Sequence, residues 1–132
     1  MPFVTFTVRR GLSAFDKSHL SAAMLDAQIA AGFNRDDLFH RFLEVDHGDL
    51  LVDSRFPNYT ANRTDRFIVV EVVISKGRPT GTAAAIADEA VRLFGERLHL
   101  PPQDVLFIFQ EVNSDLPRFP AESIGRKAAS DA

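Results

Sequence analysis

Acid–base chemistry could be assembled from three short stretches of this sequence: Met1-Pro2 at its start, Asp37 in the run Asn34-Arg35-Asp36-Asp37, and the turn Ser75-Lys76-Gly77-Arg78-Pro79. If Met1 is removed, Pro2 becomes a secondary amine. A free α-amino group titrates at about 7.7–8.0, and burial or a nearby cation lowers that value, so such an amine can serve as base or acid near neutral pH. Lys76 and Arg78 bracket a glycine, which can adopt positive φ or approach a ligand closely. The turn is expected to open a helix, with Pro79 in its first turn, so that exposed N–H groups and two cations together favour an anion. Arg78 suits bidentate recognition of a carboxylate. Asp37 could steer a water or stabilise the protonated amine. Plainer readings stay open at each place: Pro2 as a strand start, the 75–79 segment as a solvated turn, and Asp37 as a turn residue like Asp104.

The elements that must hold these residues are legible from periodicity. Residues 2–8 are almost all β-branched or aromatic and read as a strand. Ser13 followed by Asp16 resembles a capping box, and Leu20, Ala23, Met24 and Ala27 then recur at helical spacing, giving a helix over 13–31. A second strand is read over 37–45. The polar connector 46–65 carries a possible short strand at Leu50-Leu51-Val52, and 66–75 is the most β-prone run of the chain. A second helix with an apolar stripe through Ala87, Ala90 and Phe94 follows, then a strand from Val105 to Phe109. Beyond Asn113 the chain is irregular, with Phe119 and Ile124 as candidate anchors.

This order contains a repeat. Asp37-Leu38-Phe39-His40-Arg41-Phe42-Leu43-Glu44-Val45 aligns with Asp104-Val105-Leu106-Phe107-Ile108-Phe109-Gln110-Glu111-Val112 at a constant offset of 67, matching Asp, Phe, Glu and Val. The expectation is one α/β (α+β) domain over 1–132, made of a β-α-β repeat at 1–45, the connector 46–65, a second repeat at 66–112 and a tail at 113–132. Two such units give a four-stranded sheet with both helices on one face. The other face, also apolar, would be buried against further subunits, most simply in a closed ring.

Composition removes several classes of function. The 132 residues, 45% hydrophobic, suffice for a sizeable core, and twelve Phe with one Tyr and no Trp make that core phenylalanine-rich. With no Cys there is no disulfide framework, thiol nucleophile or thiolate metal site. His19, His40, His47 and His99 show no metal-ligand spacing and read as surface or partly packed residues, so neither metal nor cofactor is expected. A net charge of -3 with 15 basic and 18 acidic residues interspersed argues against a nucleic-acid surface. Neither a run of eighteen apolar residues nor a leader pattern is read in the sequence, and a cytoplasmic protein without membrane partners is expected.

Met1-Pro2 leading into a strand, the Asp37-Leu38-Phe39-His40 run and the strand ending in Ser75-Lys76-Gly77-Arg78-Pro79 together resemble the tautomerase superfamily, in its malonate semialdehyde decarboxylase-like branch. The resemblance covers about 1–112. It implies a homotrimer of β-α-β repeats acting on a small carboxylate substrate, with Pro2 as acid/base, Arg78 as carboxylate binder and Asp37 as polar partner of the proline or of a water. Lys76 stands where that branch carries an arginine, keeping the charge but losing the planar fork. The branch closes its pocket with an aromatic tail segment, for which Phe119 is the counterpart here, without a Trp.

The first mechanism implied is keto–enol tautomerisation of a small 2-oxo acid of phenylpyruvate type, with neutral Pro2 as base. The alternatives are decarboxylation of a 3-oxo acid such as malonate semialdehyde, or hydration, with Pro2 protonated, and a non-catalytic trimeric binding protein.

Overall fold

In a computed structural model, which describes residues 1–121, the chain runs β1 (Phe3–Arg9), α1 (Ala14–Ala30), β2 (His40–Val45), β3 (Ile68–Ser75), α2 (Thr82–Leu98) and β4 (Val105–Val112). The four strands form one sheet in the order β2-β1-β3-β4. Each repeat pairs its own strands in parallel, and the two repeats meet through the antiparallel β1–β3 pair.

Alternation along the strands decides what is buried. Val4, Phe6 and Val8 on β1 and Ile68, Val70, Val72 and Ile74 on β3 point into one core with Leu20, Met24 and Ala27 of α1 and Ile86, Leu93 and Phe94 of α2. Both helices therefore lie on one face of the sheet, as the repeat predicts. Each such side chain contributes roughly 1.5–3 kcal/mol by leaving water. Phe42, Phe107 and Phe109 extend the core along the outer strands. The helices are joined at their outer side by Arg97 Nη2 donating to Asp26 Oδ2 at 2.7 Å.

Helix α1 begins where expected: the Ser13 side chain accepts from the Asp16 N–H at 3.0 Å. Helix α2 begins later than expected. Gly81 takes φ 90 at its N-cap, so Pro79 lies in a separate turn ahead of the helix rather than in its first turn. Residues 37–39 are not part of β2. Asp37 N donates to Asn34 O at 3.1 Å and Asp37 Oδ2 accepts from Asn34 N at 3.3 Å, a side-chain turn that competes with an extended chain.

Leu50–Val52 forms no strand. A short 3-10 turn at His47–Asp49 precedes it, and Arg9 reaches over to donate to Leu50 O at 2.6 Å and Asp65 O at 3.3 Å. The connector is further fixed by buried Asp104, which accepts from Thr64 N at 2.8 Å and Thr64 Oγ1 at 2.5 Å.

The second sheet face has no cover among the described residues. Phe3, Leu43, Val69, Val73, Leu106 and Ile108 lie on it, with Leu43, Leu106 and Ile108 nearly half exposed. The expected anchor Ile124 lies outside the described residues. None of the helices among them is long and apolar enough to cross a membrane.

Candidate active site

The antiparallel register places the candidate residues at one end of the sheet. Phe3 pairs with Val73, so one step further sets Pro2 beside Ile74, and β3 ends one residue later at Ser75. The chain then turns through Lys76, Gly77 with φ 91, and Arg78. Lys76 N donates to Val112 O at 2.8 Å, which ties this turn to the end of β4. Pro2 is fully buried, whereas Lys76 and Arg78 are exposed.

Arg78 has a defined seat. Its guanidinium lies 4.0 Å from the centroid of the Phe33 ring, and the Phe33 side chain is itself buried. Arg78 lines a cleft of about 280 Å³ together with Ile74, Thr82, Ala83 and Glu111. The start of α2 and the arginine thus share one cleft despite the delayed helix, and this keeps the anion-binding logic of a helix N-terminus. Ile74 is both a wall of the cleft and the lateral neighbour of Pro2. Across the sheet end the order runs Pro2, Ile74, Glu111, the last through the Ile74–Glu111 pair. Among the described residues, Glu111 is the one acidic group on the cleft wall.

Asp37 approaches from the other flank. Val4 N donates to Phe39 O at 2.9 Å, and Val4 pairs with His40, which brings the 37–39 turn alongside the start of β1. Asp37 is half-buried. Phe119 packs on Phe39 with ring centroids 5.6 Å apart, so the tail returns to the same end of the sheet. The fold therefore gathers Pro2, Asp37, Lys76, Arg78 and Phe119 at one end. It does not place them in one closed pocket: Arg78 alone of the five lines the 280 Å³ cleft.

Two further clefts, of about 300 and 320 Å³, lie at the opposite end of β1 and share Arg9, His47 and Asp65. Their arginines are engaged: Arg66 donates to Leu98 O and His99 O, and Arg10 to Asp46 and Glu44. These clefts are the seam where the connector is fastened.

Sequence reasoning gave no site role to four residues. Phe33 lies 45 positions from Arg78, and nothing local signals that contact. Glu111 was visible only as a matched repeat position. Buried Gln28 and His40, which is partly packed as expected, form a polar pair whose signal was an ionisable side chain at a core-facing strand position. His40 Nε2 lies 2.7 Å from Gln28 Oε1 and Nδ1 lies 2.7 Å from Ser21 Oγ. Burial pushes the imidazole down to about 4, so it is neutral at physiological pH.

A four-stranded sheet built from two β-α-β units, with both helices on one face, defines a class of small α/β proteins. The family model described as "Tautomerase enzyme" matches residues 37–115, and the chain belongs to that family. Among solved structures the chain is similar to a malonate semialdehyde decarboxylase, at 17% identity and TM-score 0.80 over 89% of each chain. It is also similar to the FG41 malonate semialdehyde decarboxylase inhibited by 3-bromopropiolate, at 13% identity and TM-score 0.78 over 95% of this chain and 96% of that one. A symmetric trimer of fused 4-OT matches at 17% identity and TM-score 0.67 over 84% and 85%. No curated protein matches by sequence.

Proposed function

We propose that this chain is a tautomerase that uses Pro2, freed by removal of Met1, for keto–enol tautomerisation of a small 2-oxo acid of phenylpyruvate type. The observation that carries the reading is the β1–β3 register, which sets Pro2 beside Ile74 while Ile74 and Arg78 line one cleft. Arg78 holds the substrate carboxylate, and Phe33 beneath it restrains the guanidinium. The Pro2 nitrogen takes the proton from the carbon next to the carbonyl. The electron pair of that C–H bond becomes the enolate, whose oxygen Lys76 stabilises, and a proton delivered to that oxygen gives the enol. Lys76 and Arg78 favour the neutral amine, the form a base requires.

A second reading is decarboxylation of a 3-oxo acid such as malonate semialdehyde, or hydration, with Pro2 protonated. It is favoured by the turn that brings Asp37 to the flank of β1 opposite the cations, where a carboxylate supports the charged amine, and by the likeness to malonate semialdehyde decarboxylase. In decarboxylation the carboxylate leaves as carbon dioxide, and its electron pair passes to an enolate whose oxygen accepts a hydrogen bond from protonated Pro2.

The working form is a homotrimer. The open sheet face is apolar, and the similar fused 4-OT is a symmetric trimer. Phe119, packed on Phe39, forms part of the substrate's aromatic wall.

Proton NMR of 2-oxo and 3-oxo acids mixed with the intact protein and with Pro2→Ala tests both readings, with intact mass recording the first residue. Turnover that falls at least about 100-fold in Pro2→Ala is expected. Full activity in Pro2→Ala, or in protein that retains Met1, removes both readings, whereas no turnover of any 2-oxo or 3-oxo acid by the intact protein freed of Met1 leaves a non-catalytic trimeric binding protein.

A further inference from the structure

The two repeats fill one equivalent place with opposite chemistry. Four of the five buried positions of α1 align with the four of α2 at an offset of 66: Leu20 with Ile86, Met24 with Ala90, Ala27 with Leu93, and Gln28 with Phe94. The strand alignment at 67 sets His40 against Phe107. In the second repeat those two places hold an apolar pair, Phe94 and Phe107, stacked with ring centroids 6.5 Å apart. In the first repeat they hold Gln28 and His40, joined by a 2.7 Å hydrogen bond. The fold accepts phenylalanine at both places, so packing alone does not require a polar pair here.

What the polar pair reaches is the candidate site. Gln28 Nε2 donates to the Asp37 carbonyl oxygen at 3.1 Å, which leaves Gln28 Oε1 to accept from His40 Nε2–H and His40 Nδ1 to accept from the Ser21 hydroxyl. Gln28 is fully buried, and among the described residues no buried side-chain polar atom lacks a partner. The network thus runs from α1 through the start of β2 into the backbone of the Asp37 turn.

The repeat mates Asp37 and Asp104 differ in the same sense. Asp104 is wholly buried and spends its carboxylate on Thr64. The Asp37 carboxylate is half-buried and accepts one long bond from Asn34 N at 3.3 Å. Where the carboxylate is structural, the neighbouring pair is apolar; where it is free to act, the pair is polar and grips its backbone.

We infer that Gln28, held by His40, is a positioning residue that fixes the Asp37 turn against the start of β1, so that the Asp37 carboxylate is aimed at the Pro2 end of the sheet. The inference rests on the role given to Asp37 in the second reading above, in which its carboxylate supports protonated Pro2. Gln28 touches no substrate; it restricts the backbone that carries the acting group, and a misplacement of about 1 Å there can cost on the order of 100-fold in rate.

The test is a double-mutant cycle between Gln28→Leu and Asp37→Asn, read as kcat and KM on the substrate found in the Pro2→Ala comparison. Gln28→Leu is expected to lower kcat roughly 10- to 100-fold with KM little changed. In the Asp37→Asn background the same change is expected to add less than about twofold, because the aim of an absent carboxylate no longer matters. The double variant Gln28→Phe/His40→Phe, which copies the pair of the second repeat, is expected to fold and to show the same cycle. It replaces Gln28→Leu in the cycle should that single variant not fold. An equal loss in both Asp37 backgrounds, or no loss at all, overturns the inference. A Pro2→Ala protein that is inactive beside a fully active Gln28→Leu overturns this inference alone, while a fully active Pro2→Ala overturns the underlying readings.

Discussion

Phe3 and Val73 face one another across the antiparallel β1–β3 pair, and that single pairing sets the candidate residues of both repeats at one end of the sheet. It turns the beginning of the first repeat toward the end of the inner strand of the second. Pro2 and the Lys76–Arg78 turn, more than seventy residues apart in the chain, therefore meet at one sheet end. Had β1 and β3 been parallel, the same residues would lie at opposite ends of a sheet about 20 Å long.

Arg78→Ala is expected to raise KM for the carboxylate substrate and to lower kcat/KM by roughly 10- to 1000-fold, since a charge-assisted bidentate contact is lost. Arg78→Lys restores charge without the fork and should recover only part of this. Phe33→Leu, which removes the ring 4.0 Å beneath the guanidinium, should give a smaller KM effect of about two- to fivefold. Steady-state kinetics of the three variants check the order.

Glu111 lines the same cleft as Arg78, so its carboxylate opposes a second anionic group on any substrate held there. Glu111→Gln should leave monocarboxylates within about twofold and improve kcat/KM for dicarboxylates by about tenfold, the size of one relieved like-charge contact in a solvated cleft. Competition between a mono- and a dicarboxylate 2-oxo acid reads the change directly.

Asp104→Ala removes a buried carboxylate and leaves the Thr64 N–H and hydroxyl without their acceptor. A loss on the order of 3 kcal/mol is expected from hydrogen bonds to a charged group, and urea denaturation measures it. Asp37→Ala, at the repeat mate that is half-buried, should cost under about 1 kcal/mol.

His40 gives the fold a pH dependence with a defined sign. Unfolded His40 binds its proton near pH 6.5, and the folded protein only near 4, because burial opposes the charged ring. Between those values the unfolded chain holds more protons, so acidification from 6.5 toward 4 destabilises the native state by about 2 kcal/mol, and no such loss occurs above 6.5. The Glu44 carboxyl, held below its ordinary range by its hydrogen bond to Lys17, and Asp46, held down by Arg10, lose their contributions only at lower pH. Gln28→Phe/His40→Phe should flatten the slope between pH 4.5 and 6.5 in urea midpoints.

Element type was legible in the sequence because it depends on local periodicity: the period of two in 2–8 and 66–75, the helical stripe of α1, and the Ser13 cap. Boundaries were less so where side chains compete with the backbone. The Asn34–Asp37 turn shortened β2, and Gly81 at φ 90 delayed α2 past Pro79. The repeat was readable from Asp, Phe, Glu and Val at a spacing of 67, and with it a sheet covered by helices on one side only.

By itself, the sequence determined which residues could act, since a proline, an aspartate and a glycine-spaced cation pair are matters of residue type and spacing. It also determined the two β-α-β units that carry them. Only the tertiary structure decided that β1 and β3 run antiparallel, that Phe33 lies under Arg78, that Glu111 lines the cleft, and that Gln28 and His40 grip the Asp37 turn. Each of these is a contact between segments distant in the chain. Such contacts are chosen by how the buried faces fit together once the elements exist, and no short stretch of sequence contains that information.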